Sequence, residues 1–343
     1  MRALVLESPQ TGRLPVLQDR PVPQPGPGEV LVRVKAAALN HLDLLFVQEM
    51  PSWGLPAPLI MGADAAGLVA GLGEGVTNLA EGDRVVLYSN RTCGRCKYCL
   101  RGEQHRCLDL QVYGWQRDGL LADYAVVPAE NLFPIPEHLS WEEAASLPVA
   151  LNTAWKALVV DGRYRPGETV LIHGIGSGVA LFALQVAVGL GARVIVTSSS
   201  DEKLARAQQL GAWAGINYHT TDVAKRVREL TGGEGVDIVL DGVGKATLPT
   251  SFKVLARGGR VMGYGMTSGL GEMSMGLLFQ GSFIATGAGG PSVFADSLRF
   301  VRNTGLRPVI SHVHALEEFE AAFASLRAPE NFGKVVLRME QEV

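Results

Sequence analysis

Two rhythms of apolar and polar residues divide this chain. Over Glu29-Val-Leu-Val-Arg-Val-Lys35 the two classes alternate, which is the period of a half-buried strand. Asp83-Arg-Val-Val-Leu-Tyr88 and Tyr124-Ala-Val-Val127 read the same way, and Met1-Arg-Ala-Leu-Val-Leu-Glu7 also begins as a strand. Pro and Gly crowd the intervals between these runs, so residues 1–150 predict an antiparallel, β-rich domain. From Thr169 the grammar changes. Val170-Leu171-Ile172 is a buried strand, followed by a glycine turn, an apolar helix through Val188 and a second strand, Arg193–Thr197. Asp201–Leu210 predicts an amphipathic helix, Ala214–Tyr218 a strand, Val223–Leu230 a helix and Val236–Leu240 a strand. Leu248–Leu255 then reads as a helix, and Gly259–Gly263 and Gly281–Thr286 as strands. Alternating units of this length imply an α/β fold with a doubly wound parallel sheet covered on both faces. A helix near Val293–Thr304 and a strand Lys334–Arg338 are expected to return to the first domain.

Composition narrows the functional classes. At 343 residues the prior is about two domains. With 47% hydrophobic and 19% charged residues there is material for large cores, and a net charge of −3 offers no whole-chain attraction to nucleic acid or an anionic membrane. Glu7 and Pro9 interrupt any apolar leader, and Gln185, Gly189, Gly191 and Arg193 interrupt the longest apolar stretch, Val179–Val196. A cytoplasmic setting is the expectation.

All four cysteines fall in one stretch: Cys93, Cys96, Cys99 and Cys107. A C-x2-C-x2-C-x7-C spacing can close four thiolates around one tetrahedral ion, and an all-cysteine shell belongs to structural zinc. Four unrelated thiols or a disulfide pair are the plainer alternatives. Because every cysteine lies here, none remains for a catalytic metal or a thiol nucleophile elsewhere.

The first βα junction reads His173-Gly174-Ile-Gly176-Ser177-Gly178-Val179-Ala180. Small residues at a strand-to-helix turn let backbone N–H groups approach a pyrophosphate at a helix N-terminus. Gly174, Gly176, Ser177, Gly178 and Val179 are therefore candidate dinucleotide contacts. The spacing departs from G-x-G-x-x-G; its best frame is Gly174-x-x-Ser177-x-x-Ala180, and glycine turns also simply punctuate chains. An NAD site usually ends its second strand with an acid that binds the ribose 2′-hydroxyl. Here that strand ends in Ser198, Ser199 and Ser200, with Lys203 and Arg206 on the following helix. That set favours the 2′-phosphate of NADPH over NADH, while Ser199-x-x-Glu202 equally reads as a capping box for the helix.

Together these features resemble the medium-chain dehydrogenase/reductase superfamily, in its zinc-type alcohol dehydrogenase and quinone oxidoreductase branches. The resemblance spans nearly the whole chain through Pro25-Gly-Pro-Gly-Glu-Val30, Gly62-x-Asp64-x-x-Gly67, Gly73-x-Gly75-Val76, Gly82-Asp-Arg-Val85, the cysteines, Ala122-Asp-Tyr124 and the glycine turn. It implies a GroES-like catalytic domain formed by residues 1–150 and 288–343 with a zinc lobe at 91–108. It also implies a Rossmann NAD(P)-binding domain at 151–287 and an active site in the cleft between the two.

Departures from the family pattern bear on mechanism. Members with a catalytic zinc carry Cys in the segment matching Ala38–Asp43, His after the glycine of Gly62-Ala63-Asp64, and a third ligand near Pro148-Val149-Ala150. This chain has Asn40, Ala63 and neither Cys nor Asp at the third place. Asn and Ala do not replace a thiolate and an imidazole, so one structural zinc per chain is expected. Asn40-x-x-Asp43 and Ala214-Gly-Ile-Asn217-Tyr218 resemble the quinone oxidoreductase branch. By that similarity Tyr218 and Lys203 flank a 2′-phosphate with Ser198 and Ser199, and His41 faces the pyrophosphate. A strand-end tyrosine and a solvated loop histidine are the plainer alternatives. Asp241-Gly242-Val243-Gly244 and Gly263-Tyr-Gly265 resemble strand ends that border the nicotinamide, although plain turns also want glycine there.

The reading that results is hydride transfer from NADPH to a quinone or α,β-unsaturated carbonyl, small molecules whose developing charge delocalises without a Lewis acid. Asn40 would polarise the carbonyl or position the nicotinamide ribose, with Asp43 orienting the segment or merely capping it. Tyr88 is a candidate proton donor, and Trp53, Leu55, Met61 and Trp115 are candidate cleft linings or core. An alcohol or aldehyde dehydrogenase with unusual ligands, and a cofactor-binding sensor or structural protein with little turnover, remain open alternatives. The apolar run Gly281–Thr286 resembles an edge strand that pairs across a two-fold axis, giving a homodimer or homotetramer.

Overall fold

Strand Glu29–Leu39 is the axis of the first unit, and its alternating pattern sets which side chains enter the core. Val30, Val32 and Val34 are buried while Arg33 is exposed. A computed structural model describes the chain except residues 9–12, 54–55, 270, 273–275, 277–278 and 340–343, together with the side chains of residues 48–53. The chain forms two units, Met1–Ala150 with Gly289–Val343, and Leu151–Ala288.

In the first unit the main sheet runs Leu132–Pro134, Arg84–Leu87, Asp64–Leu72, Glu29–Leu39, Lys334–Arg338 and Ile310–Ala315, with Tyr124–Pro128 also paired to Glu29–Leu39. All of these pairings are antiparallel except the last in the order, between Ile310–Ala315 and Lys334–Arg338. One core unites Val30, Val32, Val34, Leu39, Val85, Leu87, Val335 and Leu337 with Leu316 and Phe323. The C-terminal strand therefore lies beside the strand that starts near residue 29, with Val335 opposite Leu39.

The second unit is a six-stranded, wholly parallel sheet in the order Ala214–Asn217, Arg193–Ser198, Thr169–Ile172, Val236–Asp241, Leu255–Gly263, Gly281–Ala285. The first half winds outward in one direction and the second half in the other, which creates the switch point of a Rossmann-type sheet beside Thr169–Ile172. Helix Gly178–Gly189 is apolar apart from Gln185 and buries Ala180 through Leu184. Helix Asp201–Gln209 buries only Leu204 and Ala207 and turns its charges outward.

Four elements depart from the sequence expectation. Val254 and Leu255 follow the apolar spacing of the preceding helix, yet that helix ends at Lys253 and Leu255 opens the next strand opposite Val236. Residues His41–Trp53 form a helix where a loop was expected. Strand Ile310–Ala315 and helix Phe319–Arg327 gave no clear periodic signal; the strand is held by its pairing with Lys334–Arg338 and the helix by Ala322, Phe323 and Leu326 in the core. Among the described residues no helix is long and apolar enough to cross a membrane.

Candidate functional site

Three neighbouring strands of the first unit bring three polar side chains to one end of the sheet. Asn40 directly follows the central strand, Asp64 opens the strand on one side, and Lys334 opens the strand on the other. All three are buried, with Lys334 at 3% and Asp64 at 0% exposure. The Lys334 ammonium donates to Asn40 Oδ1 at 2.7 Å and to Asp64 Oδ2 at 2.9 Å, and Asn40 Nδ2 donates to the same carboxylate oxygen at 2.9 Å. Val149 completes the ring by donating its backbone N–H to Asp64 Oδ1 at 2.8 Å. The chemistry dictates the amide's orientation. An ammonium only donates and a carboxylate only accepts, so Oδ1 must face Lys334 and Nδ2 must face Asp64.

Asn40 and Asp43 also start the helix His41–Trp53. Asp43 N–H donates to the Asn40 carbonyl, and the Asp43 carboxylate accepts the Asn40 backbone N–H at 2.7 Å. This is the side-chain half of a capping box, made by a carboxylate three residues beyond the cap. The capping alternative for Asp43 is thus what the structure displays. Burial pushes its carboxyl up to about 7, although the Asn40 N–H and the Lys334 ammonium favour the charged form. His41 is the first helical residue and keeps an exposed face. The protein packed around it, and then the charge of Lys334, lower its basicity.

Other candidates of this unit are committed elsewhere. Tyr88 is buried, donates its hydroxyl to the Gly289 carbonyl at 2.8 Å and accepts from Asn90 Nδ2. Burial pushes the phenol up to about 12, so the expectation of Tyr88 as a proton donor is corrected: its proton is held in a structural hydrogen bond. Met61 is fully buried in the core and Trp115 packs against it, with its ring 5.5 Å from Phe46, which makes both core residues. The Trp53 side chain and Leu55 lie outside the described residues.

In the second unit, strand Thr169–Ile172 leads into the glycine turn. Gly174 and Gly176 adopt φ of 66° and 136°, conformations that an L side chain rarely takes. Ser177 caps helix Gly178–Gly189 through its hydroxyl, which accepts the Ala180 N–H. The Gly178 and Val179 N–H groups open the helix, where no intrahelical acceptor exists. This arrangement suits an anionic pyrophosphate. His173, immediately before the turn, was not singled out by the sequence. It is buried, its Nδ1 meets Thr197 Oγ1 at 3.1 Å, and its Nε2 has no hydrogen-bond partner among the described residues.

At the next strand end the structure brings together Ser198, Ser199 and Tyr218, three of the residues expected around a 2′-phosphate, with the Lys203 backbone in the first turn of the following helix. Ser198 is buried and Ser199 exposed; the Ser198 carbonyl accepts the Tyr218 N–H, and the Ser199 carbonyl accepts from Asn217 Nδ2. Tyr218 is 49% exposed. The cap expected at Ser199 lies one residue later. Ser200 caps helix Asp201–Gln209 by accepting the Lys203 N–H at 3.3 Å, so the Ser199 hydroxyl is not the capping group.

The glycines at the other strand ends are explained by the protein itself. A Cβ on Gly242 would meet the Tyr264 ring at 2.4 Å, one on Gly265 the Gly242 carbonyl at 2.5 Å, and one on Gly263 the Phe283 ring at 2.5 Å. Val243 packs near Gly174, its Cγ2 lying 3.2 Å from where a Cβ would stand. Beneath them Asp241 accepts from the Val243 and Gly244 N–H groups and from the Thr247 and Ser251 hydroxyls.

The cysteine lobe is bracketed by the short antiparallel pair Asn90–Arg91 and Gln111–Val112. All four Sγ atoms lie within 4.8 Å of one another, with pairs at 3.6 and 4.0 Å. A tetrahedral shell with Zn–S bonds of about 2.3 Å separates its sulfurs by about 3.8 Å, so the cluster fits a structural zinc. The Cys93 and Asp109 N–H groups donate to Cys107 Sγ. Backbone N–H groups hold Cys96 down to about 6, whereas burial pushes Cys99 up to about 12. Among the described residues this is the only metal-suited group of His, Cys, Asp and Glu. The polar ring around Asn40 has a different character. Its acceptors already hold an ammonium, and amide and methyl groups stand at positions 40 and 63, a donor set unsuited to a divalent metal.

Comparison with known proteins agrees with this architecture. The alcohol dehydrogenase GroES-like domain model matches residues 26–137, and the zinc-binding dehydrogenase model matches residues 178–303. A zinc-type alcohol dehydrogenase-like protein of Schizosaccharomyces pombe is 36% identical over 94% of each chain. An acryloyl-coenzyme A reductase of Metallosphaera sedula is 30% identical over 98% of this chain and 99% of its own. The crystal structure of an NAD-dependent alcohol dehydrogenase superposes with a TM-score of 0.94 at 42% identity, covering 99% of this chain and all of the other. The chain belongs to the medium-chain dehydrogenase/reductase superfamily of oxidoreductases, among its zinc-type alcohol dehydrogenase-like members.

Proposed function

We propose that this protein is an NADPH-dependent reductase of quinones or α,β-unsaturated carbonyl compounds that carries one structural zinc and works without a metal at the Asn40 site. The observation that carries this reading is the buried Lys334–Asn40–Asp64 ring, in which an amide engaged by an ammonium and a carboxylate stands at the position where the resemblance to metal-dependent members would put a thiolate ligand. A conjugated acceptor spreads the charge it gains from hydride onto a remote oxygen, so hydrogen-bond donors suffice where an isolated ketone would need a Lewis acid. With Oδ1 and one Nδ2 hydrogen engaged, Asn40 retains a single N–H, and that donor is the one offered to the substrate carbonyl or the nicotinamide ribose.

The dinucleotide supplies hydride when bound. Gly174, Gly176, Ser177, Gly178 and Val179 would hold its pyrophosphate, and Ser198, Ser199, Lys203 and Tyr218 its 2′-phosphate. His41 would add a donor to the pyrophosphate, and the strand ends at Gly242, Val243, Gly263 and Gly265 would border the nicotinamide. The name of the Metallosphaera relative supports a conjugated carbonyl substrate. Pairing through strand Gly281–Ala285, whose one partner among the described residues is Leu255–Gly263, would give a homodimer.

Steady-state turnover of a quinone and an enone with NADPH and NADH, beside the zinc content, tests the reading. Turnover with NADPH, one zinc per chain and a slower Asn40→Ala variant with unchanged NADPH affinity are expected. A second reading, NAD-dependent alcohol oxidation, has the support of the 42% identical structure. Two zinc ions per chain and chelator-sensitive alcohol oxidation would establish it instead.

A further inference from the structure

We infer that Lys334 is the positioning residue of the reaction, a fixed ammonium that orients the Asn40 amide and supplies the buried counter-charge to Asp64. The inference rests on the reductase reading for its catalytic part, but its structural part stands alone.

The argument starts from what else could hold Asn40. Its side chain is nine-tenths buried and does not cap the helix that it precedes, because the Asp43 carboxylate and backbone groups serve there. An asparagine amide offers nearly isosteric faces, so without a discriminating partner it can turn over and exchange donor for acceptor. Lys334 removes that freedom. Its ammonium, 2.7 Å from Oδ1, can donate only to the oxygen face, while Asp64 at 2.9 Å can accept only from the nitrogen face. Lys334 is also bonded to Asp64 at 2.9 Å, so the three groups form a closed triangle that admits one amide orientation. Backbone geometry fixes where the Lys334 side chain starts. Lys334 N–H donates to the Val309 carbonyl, and Gly333 before it adopts a φ of 133°, where a Cβ would strike that same carbonyl at 2.5 Å. The remaining Asn40 N–H is thus presented in a constant direction, which is what a preorganised donor requires. Removing the ammonium would leave Oδ1 without its donor and Asp64 as the one remaining hold on the amide, so the free N–H would lose its constant direction.

The test compares Lys334→Met, Asn40→Ala and the double variant in the full-length protein. Each is measured for kcat and KM with NADPH and a quinone, and for NADPH affinity by fluorescence titration. If Lys334 acts through Asn40, Lys334→Met lowers kcat about as much as Asn40→Ala, leaves NADPH affinity within twofold, and the double variant is no slower than Asn40→Ala. Multiplying losses would overturn the inference, because they would show that Lys334 acts independently of the amide. Lys334→Met leaves Asp64 buried without its counter-charge, so Lys334→Met/Asp64→Asn serves as the neutral counterpart should the single variant not fold. The same loss of kcat is expected of it. A crystal structure of either variant separates the two hypotheses. An amide that is turned or split between orientations upholds the positioning role even if Asn40→Ala proves fully active, which would defeat only the reductase mechanism. An amide unmoved in the variant overturns the positioning role whatever the kinetics.

Discussion

The Asp43 carboxylate receives the Asn40 backbone N–H at 2.7 Å from a position almost sealed from water, and burial pushes its pKa up to about 7. The folded protein therefore holds this proton more tightly than the unfolded chain, where an aspartate titrates near 4. Stability from this group is complete below about pH 4 and is lost as pH rises through about 7. Three pKa units at about 1.4 kcal/mol each set a ceiling of about 4 kcal/mol. Asp43→Asn, which keeps an acceptor for the cap, should flatten that loss. Urea unfolding at pH 5 and pH 8 checks it: the variant should gain on the wild type at the higher pH, and an equal difference at both pH values would refute it.

The cysteine lobe predicts one tightly held zinc per chain. Cys99→Ser should abolish it, as read by elemental analysis, and lower stability by about 2 kcal/mol, or roughly 4–8 °C in Tm. Metal retained at full occupancy in that variant would contradict the four-thiolate shell.

Cofactor choice should turn on the exposed Ser199 beside Tyr218. Ser199→Asp introduces a negative charge where a 2′-phosphate is proposed to lie, so KM for NADPH should rise at least about tenfold, a change of about 1.4 kcal/mol. KM for NADH should move far less. Equal effects on both cofactors would mean that the 2′ position lies elsewhere.

The packing at the far strand ends predicts intolerance of the smallest side chain. Gly242→Ala must displace the Tyr264 ring, and Gly265→Ala must displace the Gly242 carbonyl, each from about 2.5 Å. Overpacking of this kind costs roughly 1–3 kcal/mol, measurable by denaturant titration. A neutral Gly265→Ala would be the more damaging result, because backbone has less room to yield than a ring.

Much of the architecture was legible because period and turn chemistry agree locally. The parallel sheet follows from apolar runs separated by capped helices, and the expected spans Val223–Leu230 and Lys334–Arg338 coincide with the observed elements. The cysteine cluster was legible because its ligands are close in sequence. Lys334 was missed for the opposite reason. It lies 294 residues from Asn40, and a lysine before Val-Val-Leu reads as the solvated start of a strand. Nothing local announces that its neighbours across the sheet are an amide and a carboxylate. His173 was passed over because one histidine ahead of a glycine turn has no spacing to mark it. The helix at His41 was hidden because its cap is an aspartate inside the helix, with the asparagine before it turned to other use.

The last strand has a consequence for how the protein comes into being. Residues 151–288 are translated between the two halves of the first unit, so Asp64 and Asn40 emerge from the ribosome long before their cation does. A chain interrupted before residue 334 would have to bury a carboxylate without its counter-charge to close its sheet, which the loss of hydration makes unfavourable. Formation of the polar triangle thus doubles as a check on synthesis: fragments lacking it should remain open there and visible to proteases, while the finished molecule locks.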